Sequence, residues 1–294
     1  MTSVLVIGGG LAGCTVALEL ARNNVNVIIV EKSAAIGGKV RSYGCKARDR
    51  CNKCGLCLVG DLWEQVEKHE KIEILTQAQV VDIMGSKGAF TAVIKKAGTV
   101  DTVSEISDIV VAVGFEEFTT QSAGSLEYGA GGNIITGIYL EQLLADRGKN
   151  GIFSSLPASV GFIQCFGSRD IQEKAAYCSR VCCNYSVRAA KVLREYYPDI
   201  KISFFYMDFQ EVDGQDRIED LLKDNMEFVR CRPVKVKAGR PNVILYEDPE
   251  DHRIVQRSVD LLVLSEGIYP SGDYEDLAEI CMLALNENGF MKYV

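Results

Sequence analysis

The stretch "CFGSRDIQEKAAYCSRVCC" crowds Cys165, Cys178, Cys182 and Cys183 into one segment with the spacing C-x₁₂-C-x₃-C-C. Thiolates ligate iron–sulfur clusters and zinc, and paired thiols exchange electrons as disulfides. The apolar run from Ser159 to Gln164 before them reads as a buried strand, and "NYSVRAAKVLREYYP" after them reads as a helix ending before Pro198. In a dinucleotide-binding unit such a strand-to-helix turn holds a Gly-rich phosphate loop. Here thiols stand in its place and Gly167 alone remains. If the segment is helical from Cys178 onward, Cys178 and Cys182 share a face at i and i+4, with Cys183 beside them and Cys165 reaching in from the strand end. That chelate has room for a large sulfide cluster and is cramped for zinc.

A second group, Cys45, Cys51, Cys54 and Cys57, lies in "GCKARDRCNKCGLC". Its C-x₂-C-x₂-C portion matches the first part of a ferredoxin-type run, but no C-x₃-C-P follows, so Cys45 would have to complete the ligand set. Tetrahedral zinc and a redox dithiol are the competing readings of the same residues, and all three stay open at this point. Of the 11 cysteines, Cys14, Cys231 and Cys281 are left as core or surface residues. With only two histidines, His69 and His252, both read as solvated, a His-dependent nucleophile has no support.

The elements that must position this chemistry begin at the N-terminus. "SVLVIGGGLAGCTVALELARNNVNVIIVEK" reads as strand, Gly-rich turn, helix and strand, with G-x-G-x-x-G at Gly8, Gly10 and Gly13. The first glycine permits the turn, the second admits a pyrophosphate, and the third lets helix and strand pack closely. Free N–H groups at the helix start face the phosphates. Glu31, with Lys32 beside it, follows the second strand at the position that meets ribose hydroxyls. Gly37 and Gly38 just beyond, and Gly114 after the apolar "DIVVAV", resemble the FAD-binding half of the thioredoxin reductase and glutathione reductase superfamily, and that resemblance favours FAD over NAD.

The chain has 294 residues, 47% hydrophobic and 24% charged, which fits about two globular domains of ~100–200 residues each. Its formal net charge of −8, without a basic tract, argues against nucleic-acid partners. The uncharged N-terminal run contains glycines and no basic leader, so it reads as strand, turn and helix rather than a signal or membrane segment. A cytoplasmic location is the expectation, and thiol ligands rather than disulfides suit it.

"CFGSRDIQEKAAYCSRVCCNYSVRAAKV", taken with the Gly8–Gly13 fingerprint, resembles the A-type subunits of heterodisulfide reductase, a family of flavoproteins with a thioredoxin-reductase-like core. The resemblance covers nearly the whole chain. It implies a [4Fe–4S] cluster on Cys165, Cys178, Cys182 and Cys183, FAD in the first unit, and other members of a redox complex as partners. It implies an α/β fold in which an FAD-binding domain, residues 1–115 and 259–294, is interrupted by a second dinucleotide-fold-like unit, 116–258. "TQAQVVDIMGSKGAFTAVIKKAGTVDTVSE" alternates as an antiparallel meander, and "GRPNVILYEDPEDHRIVQRS" as a hairpin on the second unit. The expected function is electron transfer between FAD and [4Fe–4S] clusters, a chemistry compatible with flavin-based bifurcation. The alternatives are a flavin-dependent disulfide reductase using a C-x-x-C pair and a flavin-free cluster scaffold. Relatives of this family continue beyond the point matching Val294 with a Gly-rich flavin contact, so a separately encoded chain completing the FAD site is a further expectation.

Overall fold

The computed structural model describes residues 2–45, 51, 55–118, 126–131, 133–145, 157–210, 221–222 and 225–292. The chain divides into two compact units, one formed by Met1–Tyr43, Gly55–Glu116 and Pro270–Val294, the other by Gly44–Cys54 and Glu117–Tyr269.

In the first unit, β1 (Ser3–Ile7), α1 (Leu11–Arg22), β2 (Asn26–Glu31), α2 (Cys57–Lys68) and β3 (Ile72–Thr76) precede a meander of β4 (Ala78–Ser86), β5 (Ala89–Lys96) and β6 (Thr99–Val111). The sheet order is β3-β2-β1-β6-β5-β4. β1 to β3 and the end of β6 run parallel, while β6, β5 and β4 pair antiparallel. Val27–Val30 and Leu5–Ile7 are buried on both faces, as parallel strands covered on both sides must be. One face packs against α1 through Cys14, Ala17 and Leu18; the other collects Leu5, Ile28, Ile94 and Ile106, with Leu277 of the helix Tyr274–Ile280. The expected meander is present, and its last strand continues into the parallel sheet rather than forming a separate layer.

In the second unit, after β7 (Phe115–Glu117), come β8 (Ile134–Thr136), α3 (Gly137–Ala145), β9 (Ser159–Phe166), α4 (Cys182–Tyr196), β10 (Lys201–Tyr206), β11 (Met226–Arg230), β12 (Lys235–Lys237), β13 (Asn242–Glu247), β14 (Ile254–Val259), β15 (Leu261–Glu266) and β16 (Ile268–Pro270). The parallel sheet runs β11-β10-β9-β15-β8, and β12, β13 and β14 form an antiparallel sheet of their own. Val160, Phe162, Leu261 and Val263 face α3 and α4, while Ile163, Leu262 and Leu264 face the side of Ile244 and Val259.

The sequence-based boundary at 259 needs correction. β15 pairs with β9 and β8 and belongs to the second sheet; the chain rejoins the first unit at Pro270. Gly44, Cys45 and Cys51 also group with the second unit rather than the first. The four-residue run Leu261–Leu264 is almost wholly buried, as a strand flanked on both edges and covered on both faces requires. Among the described residues no helix is long and apolar enough to cross a membrane.

Candidate functional site

The Gly-rich turn follows β1 at the point where the first sheet reverses its strand order, with β2 on one side and β6 on the other. Gly8 has φ +103, and a Cβ there would lie 2.5 Å from the Ala112 carbonyl oxygen. At Gly13 a Cβ would fall 1.9 Å from the Gly8 carbonyl oxygen, so α1 can lie this close only without a side chain. Gly10 has nothing within 4 Å of the same position, which leaves the start of α1 open to a ligand.

Glu31 is buried at the end of β2 and is already held. Its Oε2 accepts from the Gly9 N–H at 2.7 Å, and Oε1 accepts from the Ser33 N–H at 2.8 Å and the Ser33 hydroxyl at 2.5 Å. The carboxylate therefore fixes the turn as well as offering further lone pairs to a sugar. Gly37 donates its N–H to the Gly9 carbonyl at 2.6 Å, and its φ of +119 brings it against Trp63. A Cβ at Gly38 would lie 3.2 Å from the Gly10 Cα, so both glycines border the turn. Lys32 pairs with Asp273 at 2.5 Å on the surface, and the Gly114 carbonyl accepts from the Tyr274 hydroxyl at 2.6 Å. The residues fit a dinucleotide: a backbone cradle with no side chain in it and a fixed acid beside it.

The second site repeats this position with different chemistry. Cys165 is the second-last residue of β9, at the end where the second sheet reverses its order between β9 and β15. Alternation along β9 would send Cys165 to the side of Ile163, away from α4. A left-handed backbone at Cys165, φ +61, breaks that alternation, and its thiol meets Cys182 instead. The expected helical placement of Cys178 is overturned. α4 begins at Cys182, and Arg180 at φ +59 interrupts any helix before it, so Cys178 comes from the loop and is fixed by the Arg180 N–H at 3.4 Å from its sulfur.

Cys165, Cys182 and Cys183 are buried. Hydrogen bonds from the thiols of Cys165 and Cys183 push Cys182 down, while their bonds to it, together with burial, push both of them up. The arrangement favours thiolate at the first residue of α4. Among the described residues no three His, Cys, Asp or Glu side chains converge on a point that could hold a single metal ion. A cubane is bound at its corners, by thiolates around it rather than at one point, and four thiols with an N–H aimed at one sulfur are a donor set of that kind.

Cys45, Cys51 and Cys57 are exposed, and Cys54 lies outside the described residues. Burial pushes the thiols of Cys14, Cys231 and Cys281 up to about 11, 12 and 11, in keeping with structural roles.

Sequence reasoning missed the polar groups around the thiols. Glu266, buried at the end of β15, accepts from the N–H groups of Gly137 at 2.6 Å and Ile138 at 3.1 Å and thereby caps α3. The Tyr185 hydroxyl, on α4, donates to the Glu266 carbonyl at 3.0 Å. Burial raises the Glu266 carboxyl, opposed by its backbone hydrogen bonds. The acid closing the apolar run "LLVLSEG" was the only signal available in the sequence.

Residues 6–60 match the pattern of an NAD(P)-binding Rossmann-like domain. Over 97% of its length the chain is 26% identical to an A-type iron-sulfur subunit of the CoB–CoM heterodisulfide reductase of Methanopyrus kandleri, covering 57% of that protein. It is also 26% identical to the A-type subunit of the H(2):CoB-CoM heterodisulfide,ferredoxin reductase of Methanothermobacter marburgensis, over 98% of the chain and 56% of that protein. The chain thus spans about half the length of the curated relatives it matches. Among solved structures, thioredoxin reductases of Lactococcus lactis and T. acidophilum share the fold, at TM-scores of 0.60 and 0.59 with 15% and 16% identity. They cover 99% and 98% of this chain, which covers 84% and 83% of theirs.

Proposed function

We propose that this chain is an electron-transferring flavoprotein component of a heterodisulfide-reductase-like complex. FAD occupies the cradle of Gly8, Gly10, Gly13, Glu31, Gly37 and Gly38, and a [4Fe–4S] cluster occupies Cys165, Cys178, Cys182 and Cys183. The observation that carries this reading is the pair of matching switch points, one opening on a bare glycine turn and the other on four thiols. Relatives named as iron–sulfur subunits of heterodisulfide reductases support it.

When bound, a flavin exchanges electrons singly or in pairs and a cubane exchanges them singly, which lets the two couple a pair-transferring partner to a single-electron chain. The chain's own residues bind and hold. The start of α1 takes the diphosphate, Glu31 fixes the turn and the ribose, and the Arg180 N–H stabilises charge on the Cys178 sulfur. A second cluster on Cys45, Cys51, Cys54 and Cys57, other subunits of the complex as partners and a cytoplasmic place of work belong to the same proposal. Electron bifurcation would be a property of the whole complex.

The test is iron, sulfide and flavin analysis of anaerobically purified protein, with Cys182→Ser alongside. Flavin with eight irons, of which Cys182→Ser loses about four while flavin stays, is the expected result. Flavin without the iron of the Cys45–Cys57 group would replace this reading with a disulfide reductase that pairs Cys51 with Cys54 or Cys54 with Cys57, and iron without flavin would leave a cluster scaffold.

A further inference from the structure

Two polar side chains next to the four thiols are buried without partners. Among the described residues the hydroxyl of Ser168, which has no exposure, has no hydrogen-bond partner, and neither atom of the amide of Gln164, 6% exposed, has one. Leaving such a group unpaired forfeits the hydrogen bonds it had with water, so natural proteins rarely do so without a reason.

Gln164 is the chain neighbour of Cys165, and the Ser168 N–H bonds the Cys165 carbonyl. Gln164 precedes Cys165 on the β9 face that carries Val160 and Phe162 against Val187, Ala190 and Leu193 of α4, one step further toward the helix start at Cys182. On the same face of the neighbouring strand, Ser265 bonds Ser186 of α4 at 2.8 Å, so the polar strip continues beneath the first turn of the helix. Ser168 closes the turn begun at Cys165, its N–H bonding the Cys165 carbonyl at 3.1 Å. Ser168 also shares its surroundings with Ser179 of the loop. A Cβ on Gly267 would lie 3.0 Å from the Ser168 hydroxyl and 2.5 Å from that of Ser179, which follows Cys178. The Ser179 hydroxyl already accepts from the Ile268 N–H at 3.0 Å. The Ser168 hydroxyl remains the unused donor.

Resting on the cluster reading above, we infer that Ser168 Oγ and Gln164 Nε2 are positioning donors to the sulfurs of the cubane, one on the Cys165–Cys178 side and one beneath Cys182. Thiolate and sulfide sulfurs accept and do not donate, so a hydroxyl and an amide N–H are the groups such a site needs. Gln164 Oε1 stays unpaired in this arrangement. The reduced cluster carries one more negative charge, so donors favour it over the oxidised form and raise the reduction potential.

The experiment is a dye-mediated potential titration, read by electron paramagnetic resonance, on the anaerobically purified full chain and on Ser168→Ala and Gln164→Leu. Each variant is expected to keep its iron and sulfide. At a fixed poise the ratio of reduced to oxidised cluster should fall by about tenfold, equal to ~59 mV for one electron, and the g-values should change. Ser186→Ala removes an already paired hydroxyl at the same depth and should leave the potential where it was. Unchanged potentials in both variants with intact iron would overturn the inference while leaving the cluster in place, as would an equal shift in Ser186→Ala. A parent protein with no iron on these thiols would instead refute the cluster reading, and the inference with it. Either variant alone decides if the other fails to fold.

Discussion

Glu31 shows how much one carboxylate carries at the residue scale. It holds the Gly9 and Ser33 N–H groups at once, so an amide in its place presents NH₂ to one of two donors. Glu31→Gln should weaken FAD binding by roughly tenfold, about 1–2 kcal/mol, and lower the melting temperature of the flavin-free protein as well. The lone tryptophan of the chain, Trp63, packs against Gly37 beside the same turn, so quenching of its fluorescence during an FAD titration provides the affinity. Equal affinity and equal melting in parent and variant would refute the assignment. The glycines and the acid were legible in the sequence because only a residue without Cβ tolerates a backbone oxygen 1.9 Å from that position. What the acid bonds to was not legible, since Ser33 and Gly9 come together only once β2 and the turn are folded. Ser168 and Gln164 were invisible for the same reason: being unpartnered is a property of surroundings.

At the scale of elements, α3 depends on a partner from far along the chain. Thr136 Oγ1 accepts from the Tyr139 N–H at 3.2 Å, and Glu266 takes the Gly137 and Ile138 N–H groups, so the first turn is capped by its own neighbour and by β15 together. Glu266→Ala removes the acceptor for both backbone donors and should cost about 2–4 kcal/mol of stability, read by denaturant unfolding. Because burial raises the folded-state carboxyl, the stability Glu266 contributes is full below its ordinary range and falls as pH rises through the raised folded value. Glu266→Gln should therefore show a shallower decline over that window, with Tyr185 as the titratable group facing it. Identical slopes would mean the carboxyl is not raised. Strand, helix and meander were readable here from periodicity, whereas the start of α4 was misread by one turn. Residues Cys178 to Val181 carry no glycine or proline to announce the break that Arg180 makes.

For the molecule as a whole, each unit has a strand, a turn and a helix at its switch point, and there the two turns differ. Three residues join β1 to α1, while Gly167 to Val181 join β9 to α4, and that longer turn carries thiol chemistry where a phosphate loop would lie. NADH or NADPH alone should leave the flavin of the purified chain oxidised over minutes in anaerobic absorbance measurements; rapid bleaching would place a nucleotide site in the second unit after all. That much was legible because β1 and β9 are each followed in sequence by a turn and a helix. The second crossing was misplaced because the apolar run Leu261–Leu264 suits the centre of either sheet, and only pairing with β9 and β8 decides. That pairing also sets an order in time. All four thiols of the second site lie in one short segment, so gathering them closes only small loops and costs little chain entropy. The residues that pack over them, Glu266 and Gly267, leave the ribosome some eighty residues later. During synthesis the thiols are complete while β15 does not yet exist, so the proposed cluster, if they hold one, has an interval for assembly that closes when β15 docks.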